Sequence, residues 1–293
     1  MLSERQKGVL LILISATGFA FFPTITRSIY RLSELQPTDI GVWRFVFACA
    51  ILWLIQFIRA PRESKRPPIS PRNLMILGTL YAFSALSAFI GLQRINGSLY
   101  IVLFYTYPAM VALMSLAMGK PLSKYGWLAL ALTLIGILFT IPDFSLLQGG
   151  NLEGVLLALA NAVFVAIYMI LSTRFMKGVS NMVNATVWMM SATLLVILCA
   201  IPFFGLRAPS NVETWLALIL LAVISTVIPI FCLNSGLQYV GAAQASILSS
   251  VEPALAIFLV VVVLGEVVVP LQIMGAALII SAVIVLELSP KTK

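Results

Sequence analysis

The sequence predicts an all-α integral membrane protein with ten transmembrane helices arranged as two five-helix inverted repeats. Three observations support this prediction. The 293-residue chain is 61% hydrophobic, 10% charged and has a mean hydropathy of +1.08; it divides into apolar segments of spanning length; and its two halves share a pattern at a nearly constant offset. A soluble domain carries about 25% charged residues. This chain has too few to cover a water-facing surface.

Ten apolar segments are long enough to cross a bilayer, which takes roughly 17–25 residues. Short turns rich in Pro, Gly or charge separate them, and no gap can hold a soluble domain. The first segment is too long for the core of a signal peptide, so it is interpreted as a spanning helix. The segments cover residues 8–29, 38–58, 73–93, 97–118, 125–141, 152–172, 182–204, 213–236, 242–264 and 269–287.

The basic residues predict the orientation of these helices. With the N-terminus inside, thirteen Lys and Arg residues lie in cytoplasmic segments and four lie on the opposite side. Lys and Arg accumulate in cytoplasmic loops, so both termini are predicted to be cytoplasmic. Because the net charge of +8 comes from these short loops and forms no basic face with interleaved aromatic residues, nucleic-acid binding is not expected.

The two halves of the chain repeat one another. The Gly-Leu-Gln sequence at residues 91–93 recurs at 236–238, an offset of 145, and Pro108 recurs as Pro253 at the same offset. The Gly-Val-Leu-Leu sequence at residue 8 recurs at residue 154, an offset of 146. Matches of Gly, Gln and Pro at so constant an offset indicate a duplicated unit of five helices.

Five is an odd number, so the second unit begins on the opposite side of the membrane from the first. The predicted domains are therefore residues 1–146, the first repeat, and residues 147–293, the second repeat with inverted topology. Inverted repeats are typical of secondary transporters, whose binding site lies near the bilayer midplane between the repeats.

Residues 236–268, GLQYVGAAQASILSSVEPALAIFLVVVVLGEVV, resemble the repeat signature of EamA-type carriers of the drug/metabolite transporter (DMT) superfamily. That signature has small residues early in a helix, a proline in its middle and a closing Gly-Glu pair, here Gly265 and Glu266. The first copy keeps the proline and the glycine but has Lys120 where an acidic residue is common. The resemblance covers essentially the whole chain.

The resemblance implies a secondary carrier of the bacterial inner membrane that exports small metabolites by alternating access. The first, third and fourth helices of each half would form its cavity, and the substrate would be a neutral or aromatic amino acid. A small-molecule substrate and the lipid bilayer are the expected partners, no cofactor is expected, and the protein would function as a monomer. The alternatives are a nucleotide-sugar or other metabolite carrier of the same superfamily and a membrane scaffold without transport activity.

The residue types present argue against an enzyme. The sequence has no histidine, and its three cysteines lie in apolar segments without metal-ligand spacing. Neither a catalytic constellation nor a metal site is therefore expected. A GxxxxGK[ST] phosphate-binding loop is absent from the sequence, so ATP is not the energy source within this chain.

Glu252 is the most informative candidate residue because it lies near the middle of the ninth apolar segment. A charge at the bilayer centre costs at least about 2.5–3.5 kcal/mol unless it has a partner or a cavity. Two interpretations stay open: a hydrogen-bonding partner for the kink at Pro253, aided by nearby serine hydroxyls, or a site for a substrate amine or a proton. Pro108 and Pro253 are predicted hinges because each removes a helical hydrogen bond near the membrane centre.

The other candidates are polar or aromatic residues on the helices expected to form the cavity. Each can also be explained by ordinary helix packing or an interhelical hydrogen bond. The predicted substrate-binding residues are Phe19, Phe22, Tyr81, Ser84, Phe104, Tyr107, Asn161, Tyr168, Ser249 and Glu252.

Arg44 is, after Glu252, the second charged residue that lies well inside an apolar segment and away from its ends. It is predicted to be an anchor that extends to the membrane surface or pairs with Asp39 or Glu34. Buried basic residues are otherwise scarce, which argues against highly anionic substrates such as nucleotide sugars.

Overall fold

The computed structural model describes residues 3–58, 69–141, 151–265 and 268–288. Within these ranges the regular structure is entirely helical. The helices are α1 Glu4–Leu32, α2 Pro37–Ile58, α3 Pro71–Arg94, α4 Gly97–Phe104, α5 Tyr107–Ala117, α6 Lys124–Phe139, α7 Leu152–Phe175, α8 Met182–Phe204, α9 Val212–Ala222, a π-helical segment Val223–Val227, α10 Ile228–Val240, α11 Ala242–Ser249, α12 Glu252–Leu264 and α13 Pro270–Glu287.

These elements form ten apolar spans, which confirms the predicted fold class. Nine helical runs of the described chain are long and apolar enough to cross a membrane, and α6 is a shorter apolar helix of 16 residues. The fourth and ninth spans each consist of two consecutive helices, and the eighth consists of α9, the π-helical segment and α10. The predicted domain boundary at residues 146 and 147, as well as Glu266 of the signature, lie outside the described residues.

Both predicted proline positions coincide with a break in the helix. The fourth span is interrupted at residues 105–106 and the ninth at 250–251, an offset of 145. In each case the proline, Pro108 or Pro253, is the second residue of the helix that follows. Proline is tolerated in the first helical turn because its missing N–H would have no partner there. The interruption is confirmed, and the hinge function stays a prediction.

The same two spans also end alike. Gly119 follows the fourth span with φ of 72°, and Gly265 follows the ninth with φ of 68°. A left-handed residue after a helix favours glycine, which has no Cβ to clash with the backbone. Both spans therefore have the same order of features: a helix, an interruption, a second helix and a left-handed glycine.

The eighth span departs from regular α geometry just before its proline. The π-helical segment Val223–Val227 immediately precedes α10, whose second residue is Pro229. The Ile228 amide bonds to the Val223 carbonyl, five residues back, as in a π turn. A wider helical turn therefore accommodates the proline of this span.

An interhelical contact also occurs in two equivalent copies. A Cβ atom added to Gly8 of α1 would lie 2.6 Å from Tyr239 Cβ of α10, and one added to Gly154 of α7 would lie 2.8 Å from Arg94 Cβ of α3. Gly154 follows Gly8 by 146 residues, and Tyr239 follows Arg94 by 145. The two helix pairs thus approach closely at equivalent positions, as expected of two copies of one unit.

An ion pair defines the two sides of the bundle. Arg5 of α1 lies 3.2 Å from the Glu287 carboxylate at the end of α13, so the first and last spans meet at the same membrane surface. We call this surface the termini side and the opposite surface the far side. The first helix runs from the termini side to the far side, where Asn211, just before α9, bonds to the Leu32 carbonyl at its end. Arg94 at the end of α3 pairs with Glu153 at the start of α7, as spans of alternating direction require.

Candidate substrate-binding cavity

A cavity of about 180 Å³ lies in the centre of the bundle. The first, third and fourth spans of each half contribute to its wall, as the family resemblance implies, and α2 also contributes. All ten predicted substrate-binding residues line this one cavity, and their role in binding stays a prediction. These residues are Phe19, Phe22, Tyr81, Ser84, Phe104, Tyr107, Asn161, Tyr168, Ser249 and Glu252.

Aromatic rings form much of the wall and contact one another. The rings of Tyr81 and Tyr168 lie 5.5 Å apart, and those of Phe104 and Tyr107 lie 5.3 Å apart. Such pairs contribute about 0.5–1.5 kcal/mol beyond the burial of their area. The rings are therefore held in place and present a preformed apolar surface.

Asn161 of α7 links three helices at the edge of the cavity. Its Oδ1 accepts a hydrogen bond of 2.6 Å from the Ser84 hydroxyl on α3, and its Nδ2 donates one of 2.7 Å to the Tyr100 hydroxyl on α4. Tyr100 was not among the predicted residues. Both polar ends of the Asn161 amide are thus used within the protein, so Asn161 and Ser84 shape the wall through interhelical hydrogen bonds.

A second buried network lies on the termini side of the cavity. Tyr168 donates a hydrogen bond of 2.6 Å to Oδ1 of Asn234 on α10, and Ser172 donates one of 3.0 Å to the same atom. Asn234 is fully buried. It was not among the predicted residues, because an isolated Asn in an apolar segment has no distinctive pattern. The network therefore holds α7 and α10 together on this side of the cavity.

The opposite end of the cavity reaches towards the far side. Ala88 and Leu92, in the last two turns of α3, are part of the wall, and Leu92 is 38% exposed. The cavity therefore extends towards the far side of the bundle.

Glu252 is the first residue of α12 and contacts the cavity next to the break in the ninth span. The hydroxyl of Tyr105, at the break in the fourth span, approaches its carboxyl group. The Tyr107 hydroxyl donates a hydrogen bond of 3.5 Å to the Ser246 carbonyl of α11. The two helix breaks therefore face each other across the centre of the bundle.

The nearby serines bond differently from the sequence expectation, which assigned their hydroxyls to the carbonyl freed by Pro253, that of Ser249. The Ser250 hydroxyl donates a hydrogen bond of 2.9 Å to the Ser246 carbonyl, and the Ser246 hydroxyl donates one of 2.9 Å to the Ala243 carbonyl. Because α11 ends at Ser249, the hydroxyls bond one turn back within that helix.

Arg44 does not extend to the membrane surface, so its interpretation as an anchor is wrong. It is 8% exposed and contributes to the cavity wall. Its guanidinium carbon lies 4.9 Å from the ring centre of Phe22, 4.8 Å from that of Phe45 and 5.9 Å from that of Phe89. A cation within about 6 Å of a ring centre is attracted by the ring. Three helices thus supply an aromatic cage.

The expected partner Asp39 is occupied elsewhere. Its carboxylate accepts hydrogen bonds from the backbone amides of Gln36, at 2.8 Å, and Arg207, at 2.9 Å. It therefore caps the start of α2 and fastens the loop before α9. Because the Asp39 carboxylate already accepts two amide hydrogen bonds at the start of α2, it is not available to pair with Arg44. Arg44 lies in the cavity wall instead.

Comparison with known proteins gives a consistent result. The model of the EamA-like transporter family matches the chain twice, at residues 6–141 and 152–288. The chain is 25% identical to the uncharacterized transporter sll1319 of Synechocystis, over 97% of this chain and 95% of that protein. It is 27% identical to the uncharacterized transporter YdfC of Bacillus subtilis, over 86% and 82% of the respective chains.

A solved crystal structure has the same fold, with a TM-score of 0.79 at 20% identity over 95% of each chain. Together with the two family matches, the ten spans and the central cavity, this likeness is sufficient to classify the protein. It is a multi-pass membrane transporter and belongs to the EamA-like transporter family.

Proposed function

We propose that the protein exports neutral, largely apolar or aromatic amino acids, or similar metabolites, by alternating access around the central cavity. The observation that carries this proposal is a cavity with aromatic walls that also contains the carboxyl group of Glu252. Aromatic rings pack well against an apolar side chain, and a carboxylate can accept hydrogen bonds from an ammonium group. The proposal includes a transporter that acts as a monomer.

The cavity is less suited to a nucleotide sugar. Two phosphate groups require several cationic or amide donors, whereas Arg44 is the one basic residue among the described residues of the wall. The sequence analysis expected Arg44 at the membrane surface, whereas it is a buried cation in the cavity wall. A single cation still favours a substrate with at most one negatively charged group.

The two ends of the cavity support the alternating access that we propose. The cavity extends towards the far side, while the network of Tyr168, Ser172 and Asn234 joins α7 to α10 on the termini side. The converse state would break these bonds and close the far side. The equivalent helix breaks of the fourth and ninth spans offer matching places to bend in the two repeats.

Reconstituted protein tests the substrate class. We expect proteoliposomes preloaded with unlabelled phenylalanine or leucine to accumulate the same labelled amino acid by counterflow, since one cavity serves both directions. Empty liposomes and liposomes loaded with a nucleotide sugar are the controls. Selective exchange of phosphorylated or nucleotide-linked solutes, without exchange of amino acids, would refute the proposed substrate class.

The orientation is a separate prediction: both termini face the cytoplasm of a bacterial inner membrane. Lys177, in the turn after α7 on the termini side, and Ser210, before α9 on the far side, are both exposed. In a background without the native cysteines, we expect Ser210→Cys to react with an impermeant maleimide in intact cells. Lys177→Cys should react only after permeabilisation. The reverse pattern would show that the termini face outward.

A further inference from the structure

We infer that Arg44 is a substrate-binding residue, which receives a carboxylate group of the transported solute in the central cavity. The inference rests on the proposed function and makes it more specific, since it requires every good substrate to carry a carboxylate. It starts from a buried cation for which the described part of the chain provides no anionic partner.

The guanidinium group lacks the hydrogen bonds that its burial calls for. Its Nε atom is buried without a hydrogen-bond partner, and no ion pair to Arg44 forms within the described residues. A buried charge is costly unless it is paired and hydrogen-bonded. Because Arg44 contributes to the cavity wall, a ligand in the cavity can supply the missing acceptor.

The aromatic cage leaves the donors of Arg44 available. Phe22, Phe45 and Phe89 attract the cation through their π systems, whereas the N–H groups of a guanidinium point outward in its plane. Two of these N–H groups match the two oxygen atoms of a carboxylate. The cage therefore positions the cation while the hydrogen-bonding edge stays free for a ligand.

Arg44 and Glu252 together complement a solute that carries both charges. Both line the cavity, yet they do not form an ion pair with each other. Tyr81, which lies near enough to interact with both, is part of the wall as well. A guanidinium and a carboxyl group that line one cavity without pairing can receive the carboxylate and the ammonium group of an amino acid, which are attached to the same carbon atom.

Equilibrium binding to the purified full-length protein tests the inference with three related probes. L-phenylalanine carries both charged groups, phenylalaninamide lacks the carboxylate, and 3-phenylpropionate lacks the amine. We expect wild-type protein to bind the amide about 10- to 100-fold more weakly than phenylalanine, the range expected for loss of charged hydrogen bonds. We also expect it to bind 3-phenylpropionate measurably.

Variants of Arg44 separate binding from a structural role. In Arg44→Gln the affinity for phenylalanine should fall to about that for the amide, while affinity for the amide changes less than about threefold. Arg44→Lys should recover part of the loss because it keeps the charge but not the paired geometry. Arg31→Gln, an exposed arginine at the end of α1, is the control and should match the parent.

Three results would overturn the inference: equal wild-type affinity for phenylalanine and its amide, an equal loss of both in Arg44→Gln, or no wild-type binding of any carboxylated probe. The first, together with counterflow of phenylalanine, would leave the proposed function intact. Conversely, binding of 3-phenylpropionate that depends on Arg44, without binding of any amino acid, would refute the proposed substrate and uphold the role of Arg44. The affinities of the wild-type protein for the three probes test the need for a carboxylate even if a variant does not fold.

Discussion

Replacement of Glu252 by glutamine is expected to lower the rate of amino acid transport by about tenfold or more, the loss expected for a charged hydrogen bond. Glutamine keeps the shape and the hydrogen-bonding capacity of the side chain but cannot ionise. It can still bond to the Tyr105 hydroxyl that approaches this position. We therefore expect reduced activity in a folded protein rather than complete loss.

The pH profile distinguishes the two interpretations of Glu252. Counterflow should be measured for parent and variant between about pH 5.5 and pH 8, a range in which carboxyl groups in unusual environments titrate. A carboxyl group that binds an ammonium group or exchanges a proton makes transport depend on pH, and Glu252→Gln should abolish that dependence. Variant rates equal to those of the parent at every pH would instead make Glu252 a structural partner of the helix break.

A matched control is available on the termini side. Glu287 is also a helix-terminal glutamate with one close partner, Arg5, but it lies outside the cavity. Glu287→Gln should retain the parental rate and pH profile. Melting temperature and expression of each variant show whether a lower rate reflects the site or a loss of folded protein.

The second large effect is expected from the helix breaks. Pro108→Ala and Pro253→Ala restore an amide hydrogen and remove the ring, which favours a continuous helix by up to about 3 kcal/mol. If the fourth and ninth spans must bend between the two access states, turnover should slow by about tenfold, corresponding to roughly 1.4 kcal/mol of added barrier. Substrate affinity should change little, because neither proline lines the cavity.

Counterflow at saturating substrate measures turnover, and equilibrium binding measures substrate affinity, so the two effects can be separated. Pro202 is the control, since it also lies within a helix, α8, but near its end and away from the cavity. Pro202→Ala should match the parent. Parental turnover in both Pro108→Ala and Pro253→Ala would show that the breaks are static features of the fold and not hinges.

The family resemblance indicated which helices form the cavity and so which residues could line it. The sequence alone predicted the number of the spans, their bounds to within four residues and the interruptions at the two equivalent prolines. These last properties are local. An apolar run of spanning length must form a helix in lipid, because the backbone groups there have only one another to bond. A proline removes a bond at a known position. The constant offset between halves then showed that Tyr107-Pro108 and Glu252-Pro253 are equivalent.

Only the tertiary structure decided what each polar group bonds to. Asn234 accepts hydrogen bonds from Tyr168 and Ser172, which lie 66 and 62 residues earlier in the chain. Both polar atoms of the Asn161 side chain are bonded, to Ser84 and to Tyr100. No local pattern predicts such pairings, because they depend on how the helices rotate about their axes and pack.

Arg44 shows the difference most clearly. From the sequence, an arginine two turns inside a span, close to Asp39, is expected to reach the surface or pair with that neighbour. The fold instead commits Asp39 to the amides of Gln36 and Arg207, and it brings Phe22 and Phe89 from two other helices to the Arg44 cation. Composition and periodicity determine that a helix spans the membrane. The direction in which a buried charge such as Arg44 points is determined by packing against the other helices.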